Sequence, residues 1–223
     1  MTDPSGILNV GLYSALEAAR LTGIPAGKIR RWLRGHTINK RRYDPLWLPQ
    51  YDVADGPVVL GFRDLTEVRV ANAFIQLGLS AQKVRRAIQL AQDLLGQDHP
   101  LSAARFRTDG RTVFLQVAKE DSDEQLFDLL KSQYAFKQIV GPSLKDLEFD
   151  KRGIPTLWRV QKGIVVDPTR SFGQPIDEKT GVPTQQLAAA AIAEGSIEAA
   201  AKAYDVPASS VRRAAAYEGR LAA

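Results

Sequence analysis

The sequence predicts a mainly α-helical protein with small β elements, on three observations. The first is a pattern that occurs three times, as GIPAGKIRRW (Gly23–Trp32), GLSAQKVRRA (Gly78–Ala87) and DVPASSVRRA (Asp205–Ala214). Each copy has a Gly or Asp able to take positive φ, an apolar residue, and a helix-opening Pro25, Ser80 or Pro207. Each then places an inward Ile29, Val84 or Val211 before two arginines, the form of a helix-turn-helix whose second helix is built to lie against DNA. The second observation is a composition of 44% hydrophobic and 25% charged residues, that of a globular chain. The third is that the pattern loses helical period from His36 to Leu60, a stretch that reads as a basic hairpin and a short strand.

Charge is placed unevenly. Residues 1–92 hold 13 Lys/Arg against 7 Asp/Glu, residues 93–153 hold 9 against 11, and residues 154–223 hold 8 against 7. The basic excess therefore coincides with the first two copies, where phosphate attraction would use it. No apolar run approaches membrane-span length, and MTDPSGILNV lacks the layout of a signal peptide. The absence of cysteine excludes disulfides and thiolate metal sites and is compatible with a cytoplasmic location.

In chain order, Ser14-Ala-Leu-Glu17 is a capping box that opens a helix with Leu16, Ala19 and Leu21 on its apolar side. A turn at Thr22–Ile24 leads to a second helix from Pro25 to Leu33, stopped at Gly35, with Ile29 and Leu33 inward. HTINKRRYDP then reads as a basic hairpin, a wing carrying Lys40, Arg41 and Arg42, and Val58–Leu60 as a short strand. Asp64-Leu-Thr-Glu67 is expected to cap the next helix, whose core side is Leu65, Val68, Ala71 and Ile75, and Ser80 opens another that runs to about Leu95.

YSALEAARLTGIPAGKIRRW, the wing and LGFRDLTEVRVANAFIQLGLSAQKVRRAI together resemble the DNA-binding head of the MerR family, across residues 10–92. The resemblance implies a winged helix-turn-helix whose first helix pair reads the major groove. Lys28, Arg30, Arg31 and Arg34, the wing cations Lys40, Arg41 and Arg42, and Lys83, Arg85 and Arg86 of the second copy are the candidate DNA-binding residues. MerR activators continue into a long dimerising helix, whereas Gly96-Gln-Asp-His-Pro100 is expected to end the helix here.

The middle, residues 97–162, reads as mixed α/β. RFRTDGRTVFLQV is a hairpin candidate turning at Asp109-Gly110, with Phe106, Val113 and Leu115 apolar. Residues 123–133 read as an amphipathic helix with Leu126, Phe127, Leu129 and Leu130, and LKDLEFDKRG and PTLWRVQKGIVVDP as short strands or turns.

Residues 163–221 are similar to the domain-of-unknown-function 433 family. The match rests on a short strand, Asp167-Pro168, Gly173 and Pro175, a turn ending in Pro183-Thr184, and three helices with Glu-Gly-Ser between the first two. The departure is DEKTGVPT, where the family usually carries Gly-Thr-Arg. Members of that family resemble antitoxins found beside PIN-like ribonuclease toxins, and a MerR-like head with this tail resembles the larger, VapB-like members. A homeodomain-like core is expected from Ala188, Ile192, Ile197, Ala201, Tyr204, Val206 and Val211.

The expected organisation is thus a MerR-like head (1–96), a mixed middle (97–162) and an antitoxin-type helical domain (163–223). The expected function is that of a DNA-binding antitoxin of a type II toxin–antitoxin system. It would repress its own operon as a homodimer and neutralise a PIN-like (VapC-type) toxin. Arg212, Arg213 and Tyr217 are candidate partner or dimer contacts, beside the small face of Ala214–Ala216. No phosphate loop, nucleophile elbow or spaced carboxylate set for a metal is present, so no enzyme, cofactor or metal is expected. Two alternatives stay open: a ligand-sensing MerR-like regulator without a toxin, and an adaptor whose basic face meets an acidic protein.

Overall fold

The computed structural model describes residues 11–51, 56–124, 127, 130 and 133–222. They are mainly helical with small sheets and divide into two compact units. One holds Tyr13–Lys145 and Phe149–Pro155, the other, among the described residues, 11–12, 146–148 and 156–222. Residues 97–162 are shared between the two: 97–145 and 149–155 fall in the first unit, 146–148 and 156–162 in the second.

In the first unit, β1 (Tyr13–Ser14) pairs antiparallel with β4 (Val59–Leu60). The expected capping box opens α1 (Ala15–Thr22): Glu17 N–H donates to Ser14 Oγ at 3.2 Å and Ser14 N–H to Glu17 Oε2 at 2.7 Å. Its buried side is Ala15 and Ala18, while Leu16 faces solvent. α2 (Ala26–Arg34) follows, then a hairpin of β2 (His36–Ile38) and β3 (Arg41–Tyr43) with Thr37 opposite Arg42. The two residues between the strands, Asn39 and Lys40, have φ of 49° and 63°, the geometry of a type I′ turn.

The three repeated turns share one backbone device. Gly23, Gly78 and Asp205 have φ of 71°, 96° and 51°, and Ile29, Val84 and Val211 are each wholly buried.

α3 (Phe62–Gln76), α4 (Ala81–Leu95), α5 (Phe106–Glu120) and α6 (Gln133–Leu144) complete this unit, and α4 ends at left-handed Gly96. Asp64 is not the cap of α3. The helix begins at Phe62, and Asp64 in its first turn accepts the Gly61 N–H at 2.9 Å. Ile75 is half-buried, and the deep position belongs to Phe74.

The hairpin expected at Asp109-Gly110 is instead the helix α5. Phe106, Gly110, Val113, Phe114 and Val117 follow helical spacing and are buried. Gly110 serves packing, since a Cβ there would lie 2.7 Å from the Phe106 ring. Phe74 stacks on Phe114 at 4.0 Å, and Phe106 and Phe136 close the cluster at 6.4 and 6.0 Å from Phe74. In the amphipathic helix expected over 123–133, Leu126 and Leu129 lie outside the described residues, while Leu130 is buried.

The second unit holds, except for Phe149 and Pro155, a sheet in the order β5 (Leu147–Phe149), β6 (Pro155–Gln161), β7 (Ile164–Val166), β8 (Pro175–Asp177), followed by α7 (Thr184–Ala193), α8 (Ile197–Ala203) and α9 (Ala208–Ala222). β7 is central, antiparallel to β6 and β8, and all three of its residues are buried. The helices enclose Leu187, Ala190, Ala200, Ala201, Val211 and Ala214, with Ile197 and Val206 packed against them. Ile192 and Tyr204, expected in that core, are 83% and 42% exposed. Ile192 lies next to the last residue of α7, and Tyr204 is the C-cap of α8.

Candidate nucleic-acid interface

α2 buries Ile29, Trp32 and Leu33, which turns Arg30 and Arg31 outward on the opposite side. Among the described residues neither guanidinium has an ion-pair or hydrogen-bond partner. Lys28 behaves differently. Its ammonium donates to Asn72 Oδ1 of α3 at 2.9 Å and lies 4.9 Å from the Trp32 ring centroid. Burial, then the neighbouring Arg31 charge, lowers its pKa. Arg34 donates to the Gly56 carbonyl.

The hairpin that follows carries its three cations exposed. His36 stacks on Tyr43 at 5.0 Å, and Arg41 lies over the Tyr43 ring at 5.4 Å. Arg42 Nη2 donates to the Arg34 carbonyl at 3.1 Å, at the end of α2 where cations are favoured. α2 and the hairpin thus present Arg30, Arg31, Lys40, Arg41 and Arg42 on consecutive elements of one unit.

The second and third copies use the same register otherwise. Lys83 pairs with Asp123, Arg86 with Glu120 and Asp121, and Arg85 donates to the carbonyls of Asp44 and Pro45. Arg213 forms an ion pair at 2.6 Å with Asp177, which is wholly buried at the end of β8. Tyr217 and Ala214 are buried. Arg212 remains exposed, 3.4 Å from Glu198. Thus Arg30, Arg31, Lys40, Arg41 and Arg42 are exposed on consecutive elements, whereas Lys28 and Arg34 of α2 and the cations of α4 are engaged in internal contacts.

Sequence reasoning missed a buried polar cluster in the first two turns of α3. Asp64 accepts from the Trp47 indole, Gln50 N–H and Gly61 N–H, each at 2.9 Å, which fixes the segment after the hairpin to the start of α3. Burial raises its pKa to about 6 against those three donors. Glu67, wholly buried, accepts the amides of Leu101 and Ser102, and burial followed by the Asp64 charge pushes it up to about 8. His99 Nδ1 lies 3.5 Å from Asp64, and burial, then the Arg63 charge, lowers the imidazole to about 4. The i, i+3 spacing of Asp64 and Glu67 was visible, but it read as a capping box, because burial of a carboxylate leaves no mark in spacing.

The fold and this surface define a class: a mainly helical protein whose helix-and-hairpin segment carries an exposed cationic face. No protein-family model matches the chain. It is similar to a protein of Mycobacterium tuberculosis H37Rv named "Putative antitoxin VapB45", 26% identical over 230 residues that cover 92% of this chain and 93% of the relative. It is also similar to the crystal structure of Rv2018 from Mycobacterium tuberculosis, with a TM-score of 0.70 and 25% identity over 93% of this chain and 98% of that one. The likeness to a VapB-type antitoxin therefore runs through both units. Among the described residues no helix is long and apolar enough to cross a membrane.

Proposed function

We propose that this chain is a cytoplasmic, non-enzymatic antitoxin that binds operator DNA of its own operon and neutralises a PIN-like, VapC-type ribonuclease toxin. The toxin–antitoxin role rests on the relative's name and on similarity along nearly the whole of both chains. The DNA-binding reading rests on one observation. Of the three arginine pairs, that of the first copy alone has both guanidinia exposed and, among the described residues, without an internal partner. In this reading α1 and α2 with the hairpin form a winged helix-turn-helix. α2 lies in the major groove with Arg30 and Arg31 at base edges or phosphates, and Lys40 and Arg41 hold the flanking backbone. A homodimer supplies two such heads for a two-fold operator.

The test is a gel-shift titration of DNA from upstream of the chain's own gene. Arg30→Ala or Arg31→Ala should weaken binding by about 1–3 kcal/mol where the side chain reads a base, with thermal melting unchanged. A double variant that shifts this DNA at wild-type concentration sinks the interface. Co-expression with the product of the adjacent gene tests the antitoxin role: growth arrest that this chain fails to relieve rejects it.

A further inference from the structure

We propose that Arg85 is a positioning residue that sets the hairpin at a fixed angle on α2 and does not itself touch DNA. The inference rests on the proposed reading of α2 and the hairpin as the DNA surface. Arg85 occupies the position in the second copy that Arg30 occupies in the first, so register alone makes both readers of DNA. Its contacts say otherwise. Nε donates to the Pro45 carbonyl at 2.8 Å and Nη2 to the Asp44 carbonyl, two successive backbone acceptors just beyond β3.

The hairpin needs such an anchor. It consists of two three-residue strands joined by two residues, a ribbon that is marginal by itself in water. Its ends meet at Gly35, where a Cβ would collide with the Tyr43 carbonyl oxygen. On one side Leu46 N–H donates to the Trp32 carbonyl of α2 at 2.7 Å. On the other side Arg85 grips Asp44 and Pro45 from α4. A planar guanidinium that engages two successive carbonyls fixes direction as well as distance, which a single ammonium does not. The helix bearing it is itself anchored, with Val84, Ala87 and Ile88 wholly buried and Lys83 and Arg86 held in ion pairs on either side. Arg85 thus decides where Lys40 and Arg41 stand relative to Arg30 and Arg31. Its removal frees the hairpin, and DNA must then order it on binding.

Binding isotherms over a range of salt, with backbone amide order parameters of the free protein, test this. Arg85→Ala should weaken operator binding roughly tenfold, the scale of ordering a short segment. The slope of log K against log salt should stay unchanged, because every phosphate keeps its cation. In a Lys40→Ala/Arg41→Ala background the same substitution should cost nothing further. Arg85→Lys should fall between wild type and Arg85→Ala. In the free protein, order parameters of residues 36–43 should drop while those of α3 hold. A slope reduced by about 0.9, with effects that add in the double background, makes Arg85 a phosphate contact and overturns the proposal. Unchanged order parameters in the hairpin overturn it too. That readout needs no DNA, so a wild-type chain that fails to bind the operator rejects the DNA reading while the clamp is still decided.

Discussion

Glu67 is a wholly buried carboxyl pushed well above its ordinary value. Its carboxyl titrates near 8 in the fold, against an ordinary value of 4.5, because burial disfavours the anion and Asp64 lies close by. The folded state therefore holds the proton more tightly than the unfolded one, and stability is lost as pH rises through the folded value. Asp64, raised from 3.8 to about 6, acts in the same direction at lower pH. His99, lowered from 6.5 to about 4, acts oppositely, because the unfolded imidazole takes up the proton first. The two lower effects run against each other between pH 4 and 6.5, and the window from 6.5 to 8 belongs to Glu67. Urea unfolding should accordingly give a lower free energy at pH 8.5 than at pH 6.5, and Glu67→Gln should remove the difference. A flat wild-type profile across this window would show that Glu67 ionises as readily in the fold as in water.

Gly110 and the hairpin carry the predictions that belong to elements. An alanine ordinarily stabilises a helix interior by about 1 kcal/mol over glycine. In α5 the added Cβ would lie 2.7 Å from the Phe106 ring, which is itself buried against Phe74, Phe114 and Phe136. Overpacking of about 1–3 kcal/mol should win, and Gly110→Ala should lower the melting temperature. An unchanged or higher melting temperature would mean that the aromatic cluster yields.

The hairpin answers to a different observable. Lys40→Ala with Arg41→Ala should weaken binding to every DNA sequence about equally and reduce the salt slope by about 0.9 for each phosphate left without its cation. A changed sequence preference at constant slope would assign base reading to the hairpin.

At the scale of the molecule, the division into units decides where the chain can be cut. A boundary at 162–163 passes between β6 and β7, although Trp158 pairs with Val166 and Arg159 with Val165 across it. Residues 163–223 alone would expose one edge of a strand whose three residues are all buried in the intact unit. A fragment of residues 146–223 should therefore unfold cooperatively by circular dichroism, and one of residues 163–223 should not. Equal cooperativity in both would show that the helices and β8 suffice to hold β7.

The helical character, the three turns and the inward Ile29, Val84 and Val211 were determined by sequence alone, because they rest on local conditions. A residue that tolerates positive φ and an apolar side chain at fixed helical spacing suffice, and Asp205 meets the first as the two glycines do. The basic hairpin was legible for the same reason. Tertiary structure decided the rest. Asp109-Gly110 has the local form of a turn, yet the space beside Phe106 makes Gly110 a helical packing residue. The Arg-Arg pairs are identical in spacing, yet their employment depends on partners far along the chain: Asp44 and Pro45 for Arg85, Asp177 for Arg213, and none among the described residues for Arg30 and Arg31. Spacing along a helix states which way a side chain points, and the folded chain alone supplies what stands there to receive it.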